Sequence, residues 1–209
     1  MDTVIYLIRH AEQYKERGIY NSNNNDQEKN EKIILSVNGE KQAEQLSKNK
    51  ELKNIDFVWS SQYARAKATA KYICFNNNIE LNIDDRLNER KLGNNEELKE
   101  IGKDKKYRYV EEQLLNTNLK TNDGENANEV NLRFTNFINE ILEEEQCKRI
   151  AVVSHGGAIR FYLLNFCKPE IKNDKVILKY KNEELAFNSP GIIKLIFEGN
   201  KIKDIQLIA

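Results

Sequence analysis

Two short apolar runs that stop abruptly at chemically able residues constrain this chain most. Val4-Ile5-Tyr6-Leu7-Ile8 and Ile150-Ala151-Val152-Val153 are apolar, rich in β-branched residues and bounded by polar ones, the pattern of buried strands. The first ends in Arg9-His10, the second in Ser154-His155-Gly156-Gly157, and these are the only two histidines in 209 residues. A strand that ends in Arg-His delivers a nucleophile beside a fixed cation. A strand that ends in Ser-His-Gly-Gly delivers a second imidazole and backbone N–H groups that a ligand can approach closely.

The rest of the chain alternates strands with helices. Thr3 to Ile8 is a strand, and Ser36 opens a helix that runs to about Lys50. Ile55 to Trp59 is a second strand, after which Ser60-Ser61 is expected to cap a helix from about Gln62 to Phe75. Ile79 to Ile83 reads as a short third strand, and residues 84–124 as an inserted set of short helices. Ala127 to Gln146 is amphipathic, with Val130, Phe134, Phe137, Ile138, Ile141 and Leu142 near helical spacing. Arg149 to Val153 is a fourth strand, followed by a helix from Gly157 to Phe166 that Lys168-Pro169 breaks. Gly191 to Phe197 and Lys201 to Ile208 form a hairpin through Gly199-Asn200. The Asn-rich stretch Gln13 to Lys32 reads as a loop, either a functional lid or a disordered segment. This order predicts an α/β layer architecture with a mostly parallel sheet and an antiparallel edge hairpin. Arg9-His10, Ser60-Ser61 and Ser154-His155 then all fall at strand carboxyl ends, where such sheets bind ligands.

Composition removes several classes of function. Lys+Arg and Asp+Glu both number 33, so the chain offers no polyanion-binding footprint and nucleic acid is not the expected partner. The longest apolar runs fall far short of the ~20 residues that span a bilayer. The start lacks a signal-peptide pattern, so a soluble, cytoplasmic protein without a membrane partner is expected. The three cysteines, Cys74, Cys147 and Cys167, have no C-x-x-C spacing, which argues against a disulfide framework and against structural zinc.

The residues that could carry chemistry fit phosphoryl transfer. A neutral His10 can attack phosphorus, its other ring nitrogen donating to a backbone carbonyl. Arg9 and Arg65 are guanidinium donors suited to phosphate oxygens. His155 can donate to the transferring group, with Gly156 and the following helix N-terminus behind it. Glu89, in Arg86-Leu-Asn-Glu-Arg-Lys-Leu-Gly93, is the candidate general acid, and a raised pKa would suit that task. Taken singly, His10, Arg65 and Glu89 read rather as residues of no chemical role, while Ser154-His-Gly-Gly157 is the more specific signal.

Taken together, Leu7-Ile-Arg-His-Ala-Glu12, Ser60-Ser-Gln-Tyr-Ala-Arg-Ala66, Leu87-Asn-Glu-Arg-Lys-Leu-Gly93, Gly124-Glu125 and Val153-Ser-His-Gly-Gly157 occur in the order seen in the histidine phosphatase superfamily, the phosphoglycerate-mutase-like proteins. Leu35-Ser-Val-Asn-Gly39 with Gln42-Ala43 also resembles the family's first helix start. The resemblance spans essentially the whole chain. It implies one domain, 1–209, as a three-layer α/β/α sandwich, with a lid or insertion at about 88–125. It implies a phosphohistidine at His10, a phosphate pocket of Arg9, Arg65 and His155, and acid/base work by Glu89, with no metal or organic cofactor.

The chain departs from the family pattern at Ala11 in place of glycine, Gln13 in place of Ser or Thr, Glu16 in place of Asn, and Asn126 in place of serine. Ala11 would be strained if φ were positive there. Gln13 can still hydrogen-bond a phosphate, and Glu16 is expected to point away from it. The expected reaction is hydrolysis of a small phosphomonoester on a phosphorylated metabolite. Arg86-Leu-Asn-Glu-Arg90 resembles the mutase form of the acid motif, so a phosphomutase is the alternative, and a phosphate-binding module without turnover is the alternative of another class. Lys103, Lys105, Lys106, Tyr107 and Arg108 either meet an anionic substrate or form a solvated face.

Overall fold

The structure, a computed structural model, describes residues 2–15, 26–103, 107–185 and 188–209. In chain order its elements are β1 (Thr3–Arg9), α1 (Asp26–Lys32), α2 (Val37–Ser47), β2 (Phe57–Ser60), α3 (Ala64–Asn77), β3 (Leu81–Ile83), α4 (Asn95–Lys103), α5 (Tyr109–Leu115), α6 (Ala127–Glu144), β4 (Arg149–Ser154), α7 (Gly156–Leu163), β5 (Lys168–Lys172), β6 (Lys175–Tyr180), β7 (Glu183–Glu184), β8 (Gly191–Glu198) and β9 (Lys201–Leu207).

β1 explains the layering. Successive side chains of a strand point to opposite faces, and β1 is apolar on both. Ile5 and Leu7 join Ile150, Val152 and the inner faces of α6 and α7. Tyr6 and Ile8 join Val58, Ala151, Val153 and residues of α2 and α3. A sheet apolar on both sides must be covered on both, and the chain is accordingly a three-layer α/β/α sandwich. The sheet order is β3-β2-β4-β1-β8-β9. β3, β2, β4 and β1 run parallel, and the β8–β9 hairpin adds the antiparallel edge. The parallel register aligns Arg9 with Ser154 and Ser60 with Val153, so three strands end on one rim.

The helix starts follow their sequence signals in two cases. Ser36 caps α2, its Oγ accepting from Gly39 N at 2.9 Å. Asn126 caps α6 in a reciprocal box with Glu129, which gives this departure from the family pattern a local use.

Four expectations need correction. Ser60-Ser61 does not cap α3: its N-cap is Tyr63, without a side-chain bond, and Ser61 turns to His155 instead. The stretch Gln13 to Lys32 is not all loop, because its last seven residues form α1; residues 16–25, Glu16 among them, lie outside the described residues. α7 ends at Leu163, short of Phe166. Beyond it, residues 168–184 form a second, antiparallel sheet ordered β5-β6-β7, where only a helix stop was read. Pro169 is tolerated there because β5 is an edge strand, while Val176 and Leu178 of β6 bury into the α6–α7 core.

No helix among the described residues is long and apolar enough to cross a membrane.

Phe134 links α6 to this core. It is fully buried, and its ring stacks on Tyr162 of α7 at 4.9 Å between centroids. Phe134→Ala is expected to cost about 3–5 kcal/mol, the usual range for an aromatic cavity, as a lower urea midpoint at unchanged slope.

Candidate active site

The rim at the ends of β1, β2 and β4 opens into a cavity of about 500 Å³. His10 follows β1 and is held by its backbone on two sides. Its N–H donates to Ser154 O at 3.0 Å, and its carbonyl accepts from Ser189 Oγ at 2.9 Å. Ala11, fully buried, is not among the residues with positive φ, so alanine is unstrained here. Its N–H donates to Thr69 Oγ1 of α3 at 3.1 Å.

Hydrogen-bond partners fix the tautomer of His10. Nδ1 lies 2.7 Å from Ala11 O. A carbonyl only accepts, so Nδ1 carries the proton, as expected from the sequence. Nε2 faces Arg65 Nε at 3.2 Å. A guanidinium only donates, so Nε2 presents its lone pair. Burial first, then the charges of Arg65 and Arg9, pull the His10 pKa down to about 3. The ring is therefore neutral at physiological pH, as a nucleophile requires.

His155 converges on the same place. Its ring centroid is 5.0 Å from that of His10 and 4.8 Å from that of Tyr63. Nε2 lies 2.7 Å from Ser61 Oγ, while Nδ1 is buried without a hydrogen-bond partner. His155 is fully buried and packs against His10. Burial, with His10 and Arg65 nearby, holds its pKa well below the ordinary value.

Arg9 packs over Gly156, where an added Cβ would come within 3.0 Å of Arg9 Nε. That Nε is buried and unpartnered, and Arg9 is one of the residues that line the cavity. Arg65 sits in the first turn of α3. Its Nη1 donates to Asn30 O and its Nη2 to Asn30 Oδ1 at 3.1 Å, so α1 reaches the site. Gln13 lines the cavity and bridges to Leu35 through its backbone.

Glu89 corrects two expectations. Its carboxylate accepts from Gly157 N at 3.1 Å and Ala158 N at 3.0 Å, so those first N–H groups of α7 are already taken by an acid. Its pKa is lowered, not raised. Burial pushes it up, but the Arg90 charge, the N–H groups of Gly157 and Arg90, and Arg65 outweigh that.

The Lys103-to-Arg108 cluster divides. Lys105 and Lys106 lie outside the described residues, as does the Lys103 side chain. Tyr107 packs against the core. Arg108 lines the cavity.

Sequence reasoning missed the residues that aim Glu89. Arg133 of α6 donates through Nη1 to Arg86 O at 2.6 Å and Asn88 O at 2.9 Å. Its Nε and Nη2 grip Glu125 at 2.9 and 3.0 Å. Glu125 in turn accepts from Lys91 N at 2.9 Å, and Ser154 Oγ donates to Leu87 O at 2.7 Å. The available signal for Arg133 was an arginine directly before the inward-facing Phe134. For Glu125 it was the Gly124-Glu125 motif, noted without a role.

Two outcomes follow from these contacts. Arg133→Ala takes a donor from two carbonyls and leaves a partly buried carboxylate with the Lys91 N–H but no cation, and should lower unfolding free energy by about 1–3 kcal/mol in urea. Arg133→Lys, which lacks the planar fork, should recover less than half of that. His10 titrates near 6.5 when unfolded and at about 3 when folded. Between those values the unfolded chain takes a proton that the site rejects. Its contribution is therefore intact above pH 6.5 and lost on acidification toward 3. Urea unfolding at pH 7 and pH 5 should show wild type losing roughly 2 kcal/mol more than His10→Gln; equal losses would contradict this.

Comparison with known proteins gives the family. The family model of the histidine phosphatase superfamily (branch 1) matches residues 5–180. A Schizosaccharomyces pombe protein named as a probable phosphatase is 36% identical over 163 residues, 75% of this chain and 54% of that protein. The chain thus spans about half the length of the curated relative it matches. The fold resembles that of a mycobacterial glucosyl-3-phosphoglycerate phosphatase, with TM-score 0.67 at 16% identity over 99% of this chain and 97% of the other. It also resembles phosphoserine phosphatase from Entamoeba histolytica in complex with 3-phosphoglyceric acid, with TM-score 0.63 at 20% identity over 97% and 96%. This chain is a member of branch 1 of the histidine phosphatase superfamily.

Proposed function

We propose that the protein is a phosphatase that hydrolyses a small phosphomonoester through a phosphohistidine on His10. The observation that carries this reading is the unprotonated Nε2 of a neutral His10, its lone pair facing Arg65 and the cavity. The orphaned donors support it. Arg9 Nε and His155 Nδ1 are buried polar atoms without partners, a costly state that a phosphoryl group would relieve.

In the first half-reaction Arg9 and Arg65 take the phosphoryl oxygens, and Arg65 releases Nε2. His155 adds a donor through Nδ1, its Nε2 held by the Ser61 hydroxyl. Nε2 attacks phosphorus in line, the ester P–O bond breaks, and the leaving oxygen takes a proton from Glu89. Glu89 is ionised in the unliganded site. The negative charge of an arriving phosphate opposes that ionisation and raises its pKa toward the range a general acid needs. In the second half-reaction Glu89 takes a proton from water, the water oxygen attacks phosphorus, and the N–P bond breaks to return neutral His10. Segment 88–125 contributes Arg90, Leu92, Arg108 and Val110 to the wall, and in this reading it covers the bound ester.

Rapid mixing with a radiolabelled phosphomonoester and an alkaline quench, which preserves the N–P bond, should trap label on His10. His10→Ala should lose both label and phosphate release. Label on another residue would refute the assignment. Phosphoryl return to a second alcohol faster than to water, in a bisphosphoglycerate-primed isomerisation assay, would make the enzyme a mutase instead.

A further inference from the structure

In the proposed reaction Arg65 takes phosphoryl oxygens, yet its donors already have partners. The residue is 2% exposed, and each of its three guanidinium nitrogens is engaged. Nε faces His10 Nε2 at 3.2 Å, Nη1 donates to Asn30 O, and Nη2 donates to Asn30 Oδ1 at 3.1 Å. Two oxygens of one residue thus lie across the two Nη atoms. A guanidinium holds two oxygens of a phosphoryl group by the same kind of fork. Asn30 lines the cavity together with Arg9 and His10. Its carbonyl is free to accept because it lies in the last turn of α1, where no later N–H of the helix reaches back.

Little holds Asn30 in that place. α1 has seven residues, Asp26-Gln-Glu-Lys-Asn-Glu-Lys32, and none is apolar. A helix of that length does not persist on its own propensity and relies on packing. Here the packing is missing, since none of the described side chains of α1 is buried. The Lys32–Glu28 pair is exposed and adds little. The ties of α1 to α3 and its N-cap are polar: Gln27 donates to the Tyr63 hydroxyl, and Asn30 accepts from Arg65. Tyr63 and Arg65 are themselves in contact, the guanidinium lying over the Tyr63 ring at 5.0 Å. Elements with few apolar contacts are the first to open.

We infer that α1 is an autoinhibitory plug: Asn30 holds the Arg65 fork in place of two phosphoryl oxygens, and α1 has to leave Arg65 before a phosphoryl group binds there. This rests on the phosphatase reading for the position of the phosphoryl group. Charge drives the exchange, because ionised acceptors bond a guanidinium more strongly than the neutral carbonyl and amide of Asn30 do. The plug also sets affinity, since a site that is open in only a fraction of molecules binds more weakly by that fraction.

Calorimetric binding of inorganic phosphate to the full chain tests this without turnover. Asn30→Ala removes the Oδ1 partner and should tighten phosphate by about three- to tenfold. Gln27→Ala cuts the tie to Tyr63, makes no change at Arg65, and should act in the same direction. Asn30→Asp puts a carboxylate on the fork and should weaken phosphate by about tenfold. Hydrogen exchange in peptides covering Gln27 to Lys32 should quicken when phosphate is added to wild type. Slower exchange there, or weaker phosphate binding by both alanine variants, means that α1 closes over the ligand, and the plug is overturned. Unchanged affinity in all three variants overturns it as well. Label on His10 with no tightening in Asn30→Ala keeps the phosphatase reading and removes the plug. The expected affinities and exchange without label on His10 keep the plug and remove the phosphatase reading.

Discussion

The site depends on keeping an imidazole neutral among positive charges. Desolvation and the guanidinium groups of Arg65 and Arg9 all act against protonating His10. The Ala11 carbonyl removes the remaining ambiguity by accepting a hydrogen bond from Nδ1–H, which keeps the proton there. The result is a lone pair fixed in direction, on a ring that is neutral at any pH a cell maintains. The same charges that suppress protonation favour an anion nearby, so in the proposed reaction one arrangement would prepare both the nucleophile and the binding of what it attacks.

That arrangement is built by register. β1 and β4 are parallel neighbours paired Arg9 to Ser154, and the His10 N–H then donates to the Ser154 carbonyl. The two imidazoles are 145 residues apart in sequence by subtraction of their numbers, yet the pairing brings their rings to 5.0 Å. A slip of one residue in either strand would turn His10 or His155 to the opposite face. Both faces of β1 are packed against helices, so such a slip would also misplace Ile5, Leu7, Tyr6 and Ile8. Core packing and site geometry are the same constraint seen from two ends of one strand.

The sheet and its rim were legible because their signal is local: apolar runs of strand length ending in Arg-His and Ser-His. Glu89 was found by motif, but its protonation was misread: the adjacent Arg90 charge lowers its pKa, and the Gly157 N–H and Arg65 that add to this lie far away in sequence. α1 was invisible for a related reason. Its sequence Asp26-Gln-Glu-Lys-Asn-Glu-Lys32 has no apolar face, and its ties to the fold run through Gln27 to Tyr63 and Asn30 to Arg65. β5 to β7 failed differently: Lys168-Pro169 reads as a helix stop, and only the edge position of β5 lets proline enter a strand. Arg133 and Glu125 act on backbone carbonyls and N–H groups of another loop, a role no residue pattern encodes.

Glu89 shows how two demands on one residue are reconciled. Seated on the first N–H groups of α7 beside Arg90, it is a stable carboxylate that caps a helix and fixes its own position. A general acid needs the opposite protonation state. The two are compatible because the charge balance of the cavity differs before and after an anion arrives. Without it, surplus guanidinium charge favours the carboxylate. In the proposed reaction that surplus is spent on phosphoryl oxygens once the anion binds, and the same carboxylate then faces a negative neighbour, which favours the acid. On that reading the proton needed for the leaving group is held best when there is a leaving group to receive it.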